Sequence, residues 1–182
     1  MPVAATIVLV AWVAFWLYWL AAAARAKPGR ERWGRFAGVR IVLVLLLLLL
    51  ARANAFRGEK ATSNPWLEGI GLVVFFSGLA LAVWARVYLG RNWGTPMSEK
   101  DDPELVTSGP YRRVRHPIYS GVILAMVGTA IAVSWYWVIA VAVLAAYFVY
   151  SAVMEERYMT ERFPDTYPGY KRATKMLVPF LF

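Results

Sequence analysis

The sequence predicts an all-α integral membrane protein. Five transmembrane helices are expected, the last two forming a hairpin that leads into a cytosolic helical tail. Three observations carry this. Sixty per cent of the 182 residues are hydrophobic and only 17% are charged, which excludes a disordered or collagen-like chain. Val3 to Ala24 contains no charged side chain; a helix of that length spans roughly 33 Å at ~1.5 Å per residue, about one bilayer core. The 20 Lys and Arg residues give a formal net charge of +9. In a soluble protein that balance would point to nucleic acid, but here the basic residues lie between the apolar runs, so no nucleic-acid partner is expected.

The first apolar segment, Val3 to Ala24, has no basic flank after Met1 and exceeds a signal-peptide core in length. A retained helix is expected, despite the small residues Ala21 to Ala24. The second, Phe36 to Phe56, has a clean core only from Ile41 to Ala51. Arg40 and Arg52 near its ends can snorkel to the interfaces. The third, Trp66 to Leu89, has uncharged Gly69 to Ala85 at its centre. The fourth, Pro117 to Val133, and the fifth, Trp137 to Met154, are joined by Ser134-Trp135-Tyr136-Trp137. This link suits a tight turn at a membrane interface, where Trp and Tyr collect.

Lys and Arg asymmetry orients the bundle. With the N-terminus outside, 17 of the 20 basic residues fall inside, leaving Arg52, Arg57 and Lys60 outside. Four or six spans would put a basic cluster on the wrong side. The chain reads as one membrane domain, 1–182, with a cytoplasmic C-terminus. Its polar site is expected where the loop from Gly90 to His116 meets the tail from Glu155 to Phe182, at the roots of the hairpin.

With no cysteine and a single histidine, thiolate chemistry and a multi-His metal site are excluded, and no metal is expected. Gly69-Ile70-Gly71 lacks the third glycine of a dinucleotide fingerprint, and no P-loop, HExxH or GxSxG pattern occurs. Three stretches remain. In Gly109-Pro110-Tyr111-Arg112-Arg113-Val114-Arg115-His116-Pro117-Ile118-Tyr119, Gly-Pro makes a turn and Pro117 suits the first turn of a helix. That places Arg115 and His116 at a helix N-terminus, where anions are favoured. A basic stop-transfer flank is the plainer alternative. Glu155-Glu156 oppose the dipole at the C-terminal end of the fifth segment, so the helix is expected to continue beyond the membrane and the carboxylates to meet cations: Arg115, Arg112 or a ligand. Phe163, Tyr167, Tyr170, Lys171 and Arg172 fit an amphipathic surface tail, which can also cover a pocket. The small residues Gly121, Ala125, Gly128, Thr129 and Ala132, with Ala142 and Ala146 on the fifth segment, are read as helix packing.

At these residues the sequence resembles a known family. GPYRRVRHPIY, followed across the hairpin by EERYMTERFPDTYPGYKR, is similar to the isoprenylcysteine carboxyl methyltransferases and their phospholipid-methyltransferase relatives. The pattern is met by Gly109, Tyr111, Arg115, His116, Pro117, Tyr119, Gly121, Glu155, Glu156, Phe163, Tyr167, Tyr170 and Pro179. It covers roughly 86–182; residues 1–85 carry no signature. Met159 replaces the usual Leu, and Pro164 the usual Gly, which changes the backbone there.

The resemblance implies a membrane methyltransferase that uses S-adenosylmethionine without a Rossmann fold, with a lipophilic acceptor reached from the bilayer. It suggests catalytic roles for Arg115 and Glu156, with Arg115 steering an acceptor carboxylate. Cofactor binding would fall to His116, Tyr119, Glu155, Tyr111, Tyr167, Tyr170 and Arg172. A prenylcysteine carboxylate, a phospholipid amine and a small thiol stay open as acceptors. An NADPH-dependent sterol-reductase-like enzyme and a non-catalytic membrane assembly protein are the rivals. The oligomeric state is not legible.

Overall fold

The computed structural model describes residues 2–23, 64–93 and 104–179, together with the backbone of 29–31 and 98–100. Its helices are α1 (Val3–Ala23), α2 (Pro65–Leu89), α3 (Pro117–Ala132), α4 (Trp137–Arg162) and α5 (Tyr167–Ala173), with short 3-10 turns at Gly90–Asn92 and Gly109–Arg112. The second apolar segment, expected at Phe36 to Phe56, lies outside the described residues.

Local chemistry sets the helix borders. At α2, the Asn64 side chain accepts a hydrogen bond from the Trp66 amide at 2.9 Å, with Pro65 next in the first turn. Gly90 closes the helix at φ 54°. Pro117 opens α3, as expected. α4 starts after a tight turn in which the Trp137 amide donates to the Ser134 carbonyl at 3.1 Å. It continues past Met154 to Arg162 and ends where Pro164 forbids further helix. The continuation expected from Glu155 and Glu156 is therefore present.

The expected helical membrane fold is present, and two details qualify it. Among the described residues, α1, α2 and α4 are long and apolar enough to cross a bilayer, whereas α3 has 16 residues. At ~1.5 Å per residue α3 spans about 24 Å, short of a full hydrocarbon core. The helical fold also holds one exception, a three-residue antiparallel ribbon. In it β1 (Gly29–Glu31) pairs with β2 (Ser98–Lys100), Arg30 standing opposite Glu99. The loops that follow α1 and α2 thus meet at one end of the bundle.

The small residues of α3 pack, but chiefly on α2 rather than on α4. The two helices run antiparallel with Gly71 opposite Ala132, Phe75 opposite Gly128, Gly78 opposite Ala125 and Ala82 opposite Gly121. A methyl group on Gly121 would come 2.6 Å from the Ala82 nitrogen and 2.7 Å from the Gly78 carbonyl oxygen. Only hydrogen fits, and the backbones touch along the seam. Ala142 and Ala146 of α4, in contrast, are exposed. α1 lies across this pair: Trp12 donates to Thr129 Oγ1 at 3.1 Å and meets Phe75 edge-on. At its C-terminal end, Arg86 donates to the Ala22 carbonyl at 2.8 Å and lies over the Trp93 ring.

Candidate functional site

Continuing the α2–α3 register past Gly121 brings His116 level with Val87, next to the last turn of α2. The C-terminal end of α4 returns to the same level. There the sequence Glu155-Glu156 meets Arg115-His116, and the tail folds under both.

Glu156 is 2% exposed and is gripped at both oxygens. Arg115 Nε donates to Oε1 at 2.6 Å, and Lys171 Nζ lies 2.7 Å from Oε2. His116 Nε2 stands 3.5 Å from Oε1, with no partner at hydrogen-bond geometry among the described residues. Glu155 accepts from the Tyr119 hydroxyl at 2.5 Å, and its other oxygen lies 3.5 Å from His116 Nδ1. The two carboxylates therefore flank one imidazole. Burial opposes the charged form of His116, but the neighbouring Glu155 and Glu156 outweigh it and hold its pKa above the ordinary histidine value. The His116 ring stacks on Tyr119, and Tyr119 on Phe148 of α4 at 4.6 Å. This three-ring column leads from the charges into the apolar part of the bundle.

The tail is stitched to the loop before α3. Arg115 and His116 donate their amides to the carbonyls of Lys175 and Met176 at 2.8 and 3.0 Å, and Val114 pairs with Lys175 as a parallel bridge. Arg115 Nη1 donates to the carbonyls of Lys171 and Thr174 at 3.1 and 2.5 Å. A cation thus sits at the C-terminal end of α5, where the helix dipole favours it. Ser120 Oγ donates to the Leu177 carbonyl, and Tyr170 Oη to the Tyr111 carbonyl at 2.7 Å. Tyr111 and Tyr167 are buried in this seam, and burial raises both phenols. The Tyr170 phenol is pushed up to about 12, mainly by burial. All three stay neutral at physiological pH.

Of the residues singled out in the sequence, Arg115, His116, Tyr119, Glu155 and Glu156 converge, and Tyr111, Tyr167 and Tyr170 form the adjoining seam. Arg112 and Arg172 are exposed and outside the cluster. Lys171, Thr174 and Ser120 were not singled out for this site. For Lys171 the available signal was its place next to Tyr170, and nothing in the pattern separated it from Arg172.

Comparison with known proteins places this geometry. The chain is 31% identical to the cobalt-zinc-cadmium resistance protein CzcN of Cupriavidus metallidurans over 71% of its own length and 58% of that protein. It is 29% identical to protein-S-isoprenylcysteine O-methyltransferase B of Arabidopsis thaliana, over 77% of this chain and 72% of that one. The chain spans little more than half the length of the metal-resistance relatives it matches. Its fold is similar to the structure of the eukaryotic intramembrane Ras methyltransferase ICMT, with a TM-score of 0.57 and 22% identity, covering 83% of this chain and 54% of that one. The apolar helices and this likeness mark an integral membrane protein. The family model for phospholipid methyltransferases matches residues 67–166, which run from the first turn of α2 through the seam, the charged root and α4. With that match over more than half its length, the chain belongs to the phospholipid methyltransferase family.

Proposed function

We propose that the chain is an S-adenosylmethionine-dependent methyltransferase of the isoprenylcysteine carboxyl methyltransferase type. In this reading it acts on a lipophilic acceptor, a prenylcysteine carboxylate or an analogous group, reached from the bilayer. Its N-terminus lies outside and its site faces the cytoplasm. One observation carries the reading: a cluster of opposite charges, with Arg115, His116 and Glu156 at its largely buried centre and Lys171 and Glu155 at its more exposed edge, stands where apolar helices end. Charges in that position are costly without a purpose, and packing alone does not call for them.

The residues fit S-adenosylmethionine. That molecule carries an ammonium, a carboxylate, hydroxyls and an aromatic base. Glu155, 26% exposed, suits the ammonium or the hydroxyls. His116 offers a buried ring nitrogen without a hydrogen bond among the described residues. Tyr111, Tyr167 and Tyr170 offer an aromatic wall, Tyr119 orients Glu155, and the exposed Arg172 is assigned to the donor's carboxylate.

When bound, the cofactor supplies an electrophilic methyl group. The chain supplies binding, alignment and exclusion of water. Arg115 and Glu156 are assigned to the reacting end. Arg115 Nε and Nη1 are held by Glu156 and the tail carbonyls, so Nη2 is the part that would draw an acceptor carboxylate. A carboxylate is already ionised at neutral pH, so no strong general base is required. Alignment alone is worth up to ~7–11 kcal/mol in ideal cases. The His116–Tyr119–Phe148 column separates the charges from the apolar side, which keeps their interactions strong.

Calorimetric titration of the purified protein with S-adenosylmethionine and with NADPH tests the reading. A methyl-transfer assay with short prenylcysteines and a lipid extract then identifies the acceptor. Binding of the methyl donor and labelling of a lipophilic product are expected. Binding of NADPH alone would support the reductase-like alternative, and binding of neither the non-catalytic one.

A further inference from the structure

Lys171 is the member of the cluster whose part in the site has no counterpart in the sequence pattern. Arg115 and Lys171 take different oxygens of the same buried carboxylate, at 2.6 and 2.7 Å. Arg115 also binds the main-chain carbonyl of Lys171 itself, and that of Thr174 one turn on. Glu156 and the last turn of α5 are therefore joined twice, once through each cation. A carboxylate held at one oxygen can still rotate about its last bond, whereas one held at both cannot. The two halves of the grip differ in access to water: the Arg115 side chain is 8% exposed and that of Lys171 49%. The Lys171 half is the exchangeable one. α5 has seven residues, far too few to hold a helix unaided, so its position depends on such tethers.

We infer that Lys171 is a positioning residue for the methyl donor: it fixes the Glu156 carboxylate and holds the tail closed against the roots of α3 and α4. The inference deepens the proposed function and rests on it. Lys171 acts through the Glu156 carboxylate, which Arg115 and His116 also approach within 3.5 Å. Its loss therefore loosens the donor site without removing a reacting group.

The test uses the full chain in nanodiscs and two variants. Lys171→Met keeps the apolar stem and drops the ammonium, while Lys171→Arg keeps a cation. Two quantities are read: KM and kcat for the donor, and the rate of trypsin cleavage after Arg172 and Lys175, with and without S-adenosylmethionine. Lys171→Met is expected to raise KM about fivefold, the worth of one partly exposed ion pair, with kcat within about twofold. Cleavage of the tail should quicken by a similar factor, and the donor should slow it again. Lys171→Arg should restore both. Unchanged KM and tail cleavage in Lys171→Met would overturn the inference and leave the donor reading intact. An arginine variant as impaired as the methionine one would also overturn it, because the charge would then not be the cause. A wild-type protein that neither binds nor uses S-adenosylmethionine would overturn the donor reading itself.

Discussion

Glu156→Gln removes one charge and almost no volume, which makes it the sharpest probe of the buried root. The native carboxylate is 2% exposed and lies against Arg115 at 2.6 Å and Lys171 at 2.7 Å. Breaking a buried ion pair by removing one partner costs about 3–5 kcal/mol, because the other charge stays buried and unpaired. Arg115, 8% exposed, is that charge. Two terms reduce the figure. The glutamine oxygen still accepts one hydrogen bond, and Lys171 is exposed enough to return to water, so its share is below about 1 kcal/mol. About 3 kcal/mol remains. For a chain of this size that corresponds to a fall of roughly 6–12 °C in Tm, read by thermal melting in detergent. Arg115→Met should cost a similar amount: Lys171 and His116 still face the carboxylate, but its Oε1 loses the close pair and the Lys171 and Thr174 carbonyls lose their donor. The double variant Glu156→Gln with Arg115→Met should lose no more than either single change, a coupling of about 3 kcal/mol. Single variants that each melt within about 2 °C of wild type, or losses that simply add, would refute the buried-pair argument.

The other predictions concern the seam, the imidazole, the reacting end and the tail. Gly121→Ala should force α2 and α3 apart, costing about 1–3 kcal/mol; because His116 and Tyr119 ride on the same helix start, turnover should fall about 100-fold. Stability should depend on pH through His116, whose folded pKa lies above its unfolded value of about 6.5. Its contribution is fully present below the unfolded value and is lost as pH rises through the folded one. Melting curves across that window should show the loss, and His116→Asn should flatten it. Arg115→Ala and Glu156→Gln, assayed as folded protein, should both reduce methyl transfer; normal turnover in both would remove them from the reacting end. Tyr170→Phe should cost about 1 kcal/mol for its bond to the Tyr111 carbonyl. That loss should not change up to about pH 10, since the Tyr170 phenol is pushed up to about 12.

Helix borders were legible where a residue acts on its own backbone. Pro117 announces the start of α3; Asn64 and Pro65 at α2 and Pro164 after α4 act just as locally, through capping and sterics, although the apolar runs alone put those borders at Trp66 and Met154. Arg115 and Glu156 were legible because charges at the ends of apolar runs need partners. Residues on different elements were harder to match. The small residues of α3 announce close packing, but the sequence does not say which helix receives them, and the partner is α2. Lys171 and Arg172 are adjacent and project about 100° apart on a helix. Which of them turns inward is decided by how a seven-residue helix is docked, and that docking is set by Arg115 and the carbonyls it binds. The β1–β2 ribbon is a pairing of two loops far apart in sequence, with no alternating apolar pattern to announce it.

The glycine seam also has a mechanical side. Backbones in contact along about three turns make α2 and α3 behave as a single stiff board. α4 is fastened to that board mainly at its two ends, by the turn from Ser134 to Trp137 and by the ionic root at Glu155 and Glu156. Between these fastenings its own Phe148 and Val149 pack in a cluster of pliable apolar side chains with Ile118 and Ile123 of α3. A leaf pinned top and bottom bows in the middle at little cost. On the proposed function, acceptors with longer or shorter hydrocarbon chains would then be accommodated by bending α4, while the charged root keeps its geometry.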